Sequence, residues 1–492
     1  MNPRAILESG MEMGCRPWPR FMLDAARWQA LAPGEELSLL GLWGEVGFAH
    51  AAFLDEARME VLLASVPAHD GRVPALSPRW PSAALFERAL ADLWAITAEG
   101  GTDARPFLDH GRWPLLGPLS GRATPQPPGV TPMEFLPAIG EGVHIIPVGP
   151  IHAGVIEPGH FRFHIQGEII VRLEVRLGYT HKGTLSLIQG KPPRAAARFA
   201  ARLSGDTTVA HSLAFARAAE AALGVEVPPR AFALRAAMLE LERLHNHLND
   251  LGFIANDAAF AVIHARCGWL REGLLRAIAA AFGHRLMMDR VLPGGVAQDI
   301  AAIPGLLVAL AQVAAELPGL LAQYESHASL QDRVLGTGVM TAALVQQFAP
   351  GGVVGRAAGR GFDARLLTGE LAPEALILQS SADVDARWRQ RHAEALQSIE
   401  FLQALLPALP DSGLSVTLPP QGGEGVALVE GFRGECLAWM RLDGGGVIEA
   451  CMLRDPSWLH WPLLEAAVIG NIVADFPIIN KSINGSYSGV DL

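Results

Sequence analysis

The sequence predicts an α+β chain in two parts: a small N-terminal α/β domain, then a long-helix bundle with flanking small β-sheets. Three features predict this. Phe161, Phe163 and Ile165, then Ile169, Val171, Leu173 and Val175, alternate with other residues on either side of Gln166-Gly167-Glu168, as a hairpin does. Leu234, Met238, Leu241, Leu244, Leu248 and Leu251 step by three and four, the apolar stripe of a helix. Between the two parts, Leu116 to Gly142 carries Pro118, Pro125, Pro127, Pro128, Pro132 and Pro137 with several glycines. Such a stretch propagates neither a helix nor a central strand, and reads as a linker between residues 1–115 and residues 143–492.

The elements follow in order. Residues 60–65 read as a strand. Residues 82–96 read as a helix in which Leu85, Leu90, Leu93 and Trp94 share a face and Ser82 is the N-cap. After the hairpin, Pro228 and Pro229 open the long helix and Gly252 closes it. Further helices are expected over 261–282, 300–324 and 383–406. No repeat of fixed period is present.

At 492 residues the chain should hold at least two domains. Apolar residues make up 50% and charged residues 18% of it, and the mean hydropathy is +0.24. The best candidate membrane span, 300–321, is interrupted by Pro304, Gln312, Glu316 and Pro318, so no span is expected. An apolar surface covered by partner subunits is the better account. No secretory signal pattern opens the chain, which points to the cytoplasm. Cys15, Cys267, Cys436 and Cys451 form no C-x-x-C pair, so neither a disulfide framework nor a cysteine-rich metal site is indicated. A net charge of −11 argues against a nucleic-acid partner.

Three segments carry candidate chemistry. Gly149 to His160 is a Gly/Pro-rich loop holding His152, Glu157 and His160. Arg202-Leu203-Ser204-Gly205-Asp206-Thr207-Thr208-Val209-Ala210-His211-Ser212 looks like a helix N-terminus that Asp206 or Thr207 could cap. Asn480 to Leu492 is a polar tail of the kind that is usually disordered. Taken singly, each has a bland structural reading. Gly351-Gly352-Val353-Val354-Gly355-Arg356 lacks the Gly-Lys-Ser/Thr ending of a phosphate loop and reads as a turn.

Together, these segments resemble the large-subunit pattern shared by energy-converting [NiFe] hydrogenases of the formate hydrogenlyase type and complex I. The resemblance is carried further by Gly178-Tyr179-Thr180-His181-Lys182-Gly183, Pro228-Pro229-Arg230, the helix Met238 to Leu248, Gly355-Arg356-Ala357-Ala358-Gly359, Arg433-Gly434-Glu435 and Arg454-Asp455-Pro456-Ser457. Ser77-Pro78-Arg79-Trp80-Pro81, Phe86-Glu87-Arg88, Asp92-Leu93-Trp94 and Asp103-Ala104-Arg105-Pro106 resemble the smaller hydrophilic (30-kDa-like) subunit fused ahead of it.

In that family two Cys-x-x-Cys pairs hold nickel and iron with soft thiolates. By the resemblance they fall on Ser204 and Thr207, and on Ser486 and Gly489. Neutral hydroxyls and a bare backbone do not hold such a centre, so no metal and no hydrogen turnover at nickel are expected. The resemblance instead implies a complex I-like oxidoreductase subunit on the cytoplasmic side of the cell membrane. Its expected partners are an iron–sulfur small subunit, a ferredoxin-like subunit and antiporter-like membrane subunits, with the iron–sulfur clusters in those partners.

The old metal cavity would then receive a quinone or another small acceptor, lined by Arg202, Ser204, Thr207 and Ser486. His160 and Asp257 would be its proton-carrying pair. The family's tyrosine falls on Gly205, leaving Tyr179 and Tyr487 as substitutes. Asp257, His247 and Glu157 also have structural readings, and the whole chain has one as a non-catalytic scaffold.

Overall fold

The computed structural model describes residues 2–33, 37–126, 133–152, 156–369, 371 and 375–492. Ala153 to Val155 of the first motif, and Pro127, Pro128 and Pro132 of the linker, lie outside the described residues.

The N-terminal part is a five-stranded sheet. The strands Leu37–Glu45, Phe48–Asp55 and Glu60–Pro67 form an antiparallel meander, and Arg20–Met22 joins parallel to Glu60–Pro67. The helix Ala84–Trp94 packs on Leu37–Glu45. It approaches closely because Gly44 has no side chain: a Cβ there would lie 2.7 Å from Trp94. Ser82 does not cap this helix; it sits in a preceding 3₁₀ turn over Pro81–Ala83.

The C-terminal part opens with a three-stranded antiparallel sheet, Val143–Val148, His160–Gln166 and Ile169–Arg176, so the expected hairpin gains a third strand. The helices Thr208–Leu223, Pro229–Asp257, Ala261–Phe282, Ile303–Ser326 and Val384–Leu405 form the bundle. Asp383 caps the last of these, accepting the Ala386 amide at 2.8 Å. The long helix does not stop at Gly252. That glycine serves close helix approach instead, since a Cβ would meet Cys267 Cβ at 3.0 Å. The helix Ile303–Ser326 runs through Pro318 unbroken and is long and apolar enough to cross a membrane by length and composition, contrary to the reading from its interruptions. It packs against Ala261–Phe282 and Val384–Leu405 and buries only part of its apolar surface.

A second antiparallel sheet, Gly423–Gly431, Gly434–Leu442 and Ile448–Arg454, lies against Thr208–Leu223. It also joins the two parts. Trp43 and Trp439 pack at 5.6 Å between ring centroids, and Phe86 stacks on Trp458 at 4.8 Å. Arg20 pairs with Glu424 at 2.6 Å, and the Arg454 Nε donates to the Leu40 carbonyl at 2.7 Å. The linker therefore separates the parts in sequence but not in space.

Candidate functional site

The turn Ser204 to Thr207 precedes the helix Thr208–Leu223, and residues 484–491 run beside it. Asn484, at φ 58°, turns the chain after the helix Phe476–Ile483. Far from being a loose tail, residues 488–492 are buried. Ser486 Oγ lies 2.8 Å from Ser204 Oγ and accepts the Gly489 amide at 3.0 Å. Ser204 and Thr207 both donate to Asp206 Oδ1 at 3.0 Å. The Arg433 guanidinium grips Asp206 with two nitrogens, at 2.7 and 2.6 Å, and donates to Thr207 Oγ1 at 2.7 Å.

The three hydroxyls at thiolate positions are thus engaged with one another, with Asp206 and with Arg433. Burial opposes ionisation of Asp206, but Arg433 and the two hydroxyls hold its carboxyl well below the usual carboxylate range. Asp206 keeps 41% of its side-chain surface accessible, so one side of its carboxyl faces open space, a hollow bordered by this turn.

The fourth thiolate position is Gly489. A Cβ built there would meet Asp455 Cγ at 2.7 Å and Oδ2 at 2.8 Å, so Asp455 occupies the space of a ligand side chain. Asp455 is fully buried, accepts the Ser457 amide at 2.8 Å and bonds His211 Nε2 at 2.8 Å. Against the cost of burial, His211 and Arg433 bring its pKa down to about 2. A nickel–iron centre does not fit these residues: three ligands are neutral hydroxyls, and the fourth place is filled by a carboxylate.

Next to Asp206, Glu242 accepts the Val209 and Ala210 amides at 2.6 and 3.0 Å, so it caps the helix that neither Asp206 nor Thr207 caps through its side chain. Burial pushes its carboxyl up to about 8, and the Asp206 charge adds to this. A neutral, proton-holding carboxyl thus stands beside a permanent carboxylate.

The remaining expected residues lie elsewhere. Arg202 does not line the hollow; its guanidinium makes a bidentate pair with Asp289 at 2.7 Å on the surface, while Lys182 Nζ holds the carbonyls of Arg202 and Leu203 at 3.0 and 2.8 Å. His160 Nδ1 donates to the Gly149 carbonyl at 3.2 Å, and its ring lies 5.1 Å from Phe135. Burial pushes its pKa down, and Arg162 and Arg176 add to the shift. Asp257 ends the helix Pro229–Asp257, where burial raises its pKa against the opposing charge of Lys481.

Among the described residues, His160 and Asp257 share neither a hydrogen bond nor an ion pair. They stand at the ends of different elements with different partners. Tyr179 packs on His110 at 4.7 Å, whereas Tyr487 adjoins Ser486 and packs on Trp461 at 4.7 Å. Glu157 accepts the Ser488 amide at 3.0 Å, and His247 bonds Glu394 at 3.0 Å in a buried ionic network. Both fit their structural readings.

Sequence reasoning places Asp206, His211, Glu242, Arg433 and Asp455 inside motifs without giving them roles at a site. The available signal was an acid between two former ligand positions.

Comparison with known proteins matches this architecture part by part. Residues 46–125 fit the respiratory-chain NADH dehydrogenase 30 Kd subunit, residues 182–251 the nickel-dependent hydrogenases, and residues 265–420 the respiratory-chain NADH dehydrogenase 49 Kd subunit. Hydrogenase-4 component G of Escherichia coli K12 is 30% identical over 88% of this chain and 78% of its own length. Formate hydrogenlyase subunit 5 of the same organism is 28% identical over 87% and 78%. The C/D component of NADH-quinone oxidoreductase from Phocaeicola vulgatus is 27% identical over 81% and 83%.

A chain of the membrane-bound sulfane sulfur reductase, an archaeal respiratory membrane complex, shares the fold. Its TM-score is 0.67 at 23% identity, over 72% of this chain and 100% of that one. The chain belongs to the family of hydrogenase-4 component G, with fused 30 Kd and 49 Kd complex I domains, and is a complex I-like oxidoreductase subunit, not a nickel hydrogenase.

Proposed function

We propose that the chain is the core coupling subunit of its complex, seated on the cytoplasmic face of the cell membrane. An iron–sulfur small subunit, fed by a ferredoxin-like subunit, delivers electrons, and antiporter-like membrane subunits use the energy. The hollow at Asp206 receives a quinone headgroup or another small acceptor. One observation carries this reading: Ser204 and Thr207, at two of the four metal-ligand positions, join Arg433 in a clamp on Asp206, whose carboxylate still faces open space.

Reducing a quinone takes two electrons, from the partner's clusters, and two protons. Glu242 stores one of these protons and solvent at the open side of Asp206 supplies the other, while Asp206 provides a fixed negative charge and Arg433 holds it in place. His160 and Asp257, which are not paired, act at most as separate carriers.

The test uses the intact membrane complex reducing a soluble quinone analogue. Asp206→Asn and Glu242→Gln are expected to lower turnover at least tenfold with assembly intact, and elemental analysis is expected to find no nickel. Normal turnover in both variants would overturn the reading.

A second reading, that of a non-catalytic structural core, is favoured by the same hydrogen-bond inventory, since the hydroxyls of Ser204, Thr207 and Ser486 all find partners within the protein. It predicts that Asp206→Asn, Glu242→Gln, His160→Ala and Asp257→Asn all leave turnover and ion translocation unchanged.

A further inference from the structure

Behind Gly489, three side chains from different elements meet, and a fourth, His460, feels the Asp455 charge. His211 comes from Thr208–Leu223, Cys436 from Gly434–Leu442, Asp455 from the turn after Ile448–Arg454, and His460 from Ser457–Ala467. None is more than 1% exposed. The donor atoms of His211, Cys436 and Asp455 all lie within 4.8 Å of one another. His460 has no hydrogen-bond partner at either ring nitrogen, and the Asp455 charge acts on it. A buried imidazole with both nitrogens idle is costly, and it points to an unmet ligand.

We propose that His211, Cys436 and Asp455, with His460 as the fourth donor, form a structural site for a zinc-class divalent cation. This set is separate from the family's four thiolate positions: Ser204, Thr207, Ser486 and Gly489 donate nothing to it. One sulfur, two nitrogens and one oxygen suit a tetrahedral borderline metal such as Zn²⁺. Bonds of about 2.0–2.3 Å place tetrahedral donors about 3.3–3.8 Å apart, so on binding the His211, Cys436 and Asp455 donors, now within 4.8 Å of one another, draw in and the His460 ring turns onto the fourth position.

The charges balance. Binding releases the Cys436 thiol proton to solvent, and one thiolate plus one carboxylate neutralise the dication in a place that water does not reach. The metal takes the position of the proton between His211 Nε2 and Asp455 Oδ2, and the neutral ring changes tautomer so that this proton sits on His211 Nδ1, while Asp455 Oδ1 stays on the Ser457 amide as the outer contact that fixes the carboxylate. Because the cage is buried, the ion must enter as the chain folds. It would tie the helices Thr208–Leu223 and Ser457–Ala467 to the second sheet.

The experiment produces the full chain, with whatever subunits co-purify, in medium supplied with Zn²⁺ or Co²⁺. Wild type should retain about one zinc per chain after exhaustive dialysis, and the cobalt form should show a thiolate-to-cobalt charge-transfer band. Cys436→Ser and His211→Gln should lose the metal and the band, whereas Cys267→Ser and Cys451→Ser keep both. Less than about a tenth of an equivalent in wild type would overturn the proposal. Equal retention by Cys436→Ser, or a cobalt form without the thiolate band, would also overturn it; the band is read on wild type and does not depend on a variant folding. The outcome is independent of quinone reduction, so the acceptor reading and this site fail separately.

Discussion

Restoring the four thiolates should not restore nickel, and Gly489 shows why. Consider Gly489→Ala. The new Cβ would lie 2.7–2.9 Å from three side-chain atoms of Asp455, which is fully buried and cannot swing away without breaking its bonds to His211 and the Ser457 amide. Overpacking costs about 1–3 kcal/mol, and weakening one bond to a buried charge about 1.5–3 kcal/mol more. A loss of about 2.5–6 kcal/mol is therefore expected, a large share of a typical total of about 5–15 kcal/mol. Gly205, the next glycine of the site, meets nothing within 4 Å. Gly205→Ala should change stability by less than about 0.5 kcal/mol. The assay is the urea midpoint of the purified chain for both variants, followed by nickel analysis of a variant with cysteine at 204, 207, 486 and 489. If Gly489→Ala unfolds within about 0.5 kcal/mol of Gly205→Ala, Asp455 does not fill the ligand's place and the reasoning fails.

Glu242→Gln should behave like wild type near pH 5 and become the more stable of the two as pH rises. A carboxyl raised to about 8 gives its full contribution below its ordinary value of 4.5 and loses it as pH climbs through that window, by at most about 1.4 kcal/mol per pH unit. A pH-independent difference in melting would contradict this. A double-mutant cycle on His160→Ala and Asp257→Asn, read on turnover of the complex, should show coupling below about 0.5 kcal/mol, because the two share neither a hydrogen bond nor an ion pair; a larger value would argue for the pair after all. Gly351→Ala should destabilise by more than about 3 kcal/mol, since a Cβ there collides with the buried Glu435 carboxylate, and Glu435→Ala should relieve much of that loss. Chemical denaturation of the single and double variants measures both effects.

Much of the fold was legible because its helices obey strict periodicity. The helix Ala261–Phe282 has the bounds its pattern demands, and Val384–Leu405 falls one residue short of its expected span at each end, with Asp383 as its N-cap and Leu406 as its C-cap. Errors arose where one residue type serves two purposes. Glycine after an apolar stripe usually ends a helix, but Gly252 lets Cys267 approach, a tertiary demand that local sequence does not display. Ser82 had the chemistry of a cap, yet the buried Glu87 carboxylate accepts the Leu76 and Ser77 amides just before the 3₁₀ turn, so the chain enters this helix differently. At the site, the lost thiolates could be read from Ser204, Thr207, Ser486 and Gly489, but their replacement could not. Arg433 is more than two hundred residues from Asp206 in sequence, and nothing local announces that they pair.

With hydroxyls and a glycine at the thiolate positions, hydrogen bonds hold the segments around them. Lys182 clasps the carbonyls ahead of Ser204, and Asp491 accepts the Gly178 and Thr180 amides at 2.6 and 2.8 Å. Glu157 takes the Ser488 amide, and Ser457 Oγ takes the Ser486 amide at 2.7 Å. These contacts bring the three motifs together. Each is a charged or buried hydrogen bond, whose removal costs more than an exposed one. Selection for the motifs can therefore persist for assembly alone, so their presence in a sequence is no proof of hydrogen chemistry. What separates the two cases is the polar chemistry inside the ring: thiolates to hold nickel, or, as here, hydroxyls turned inward onto an aspartate and an arginine.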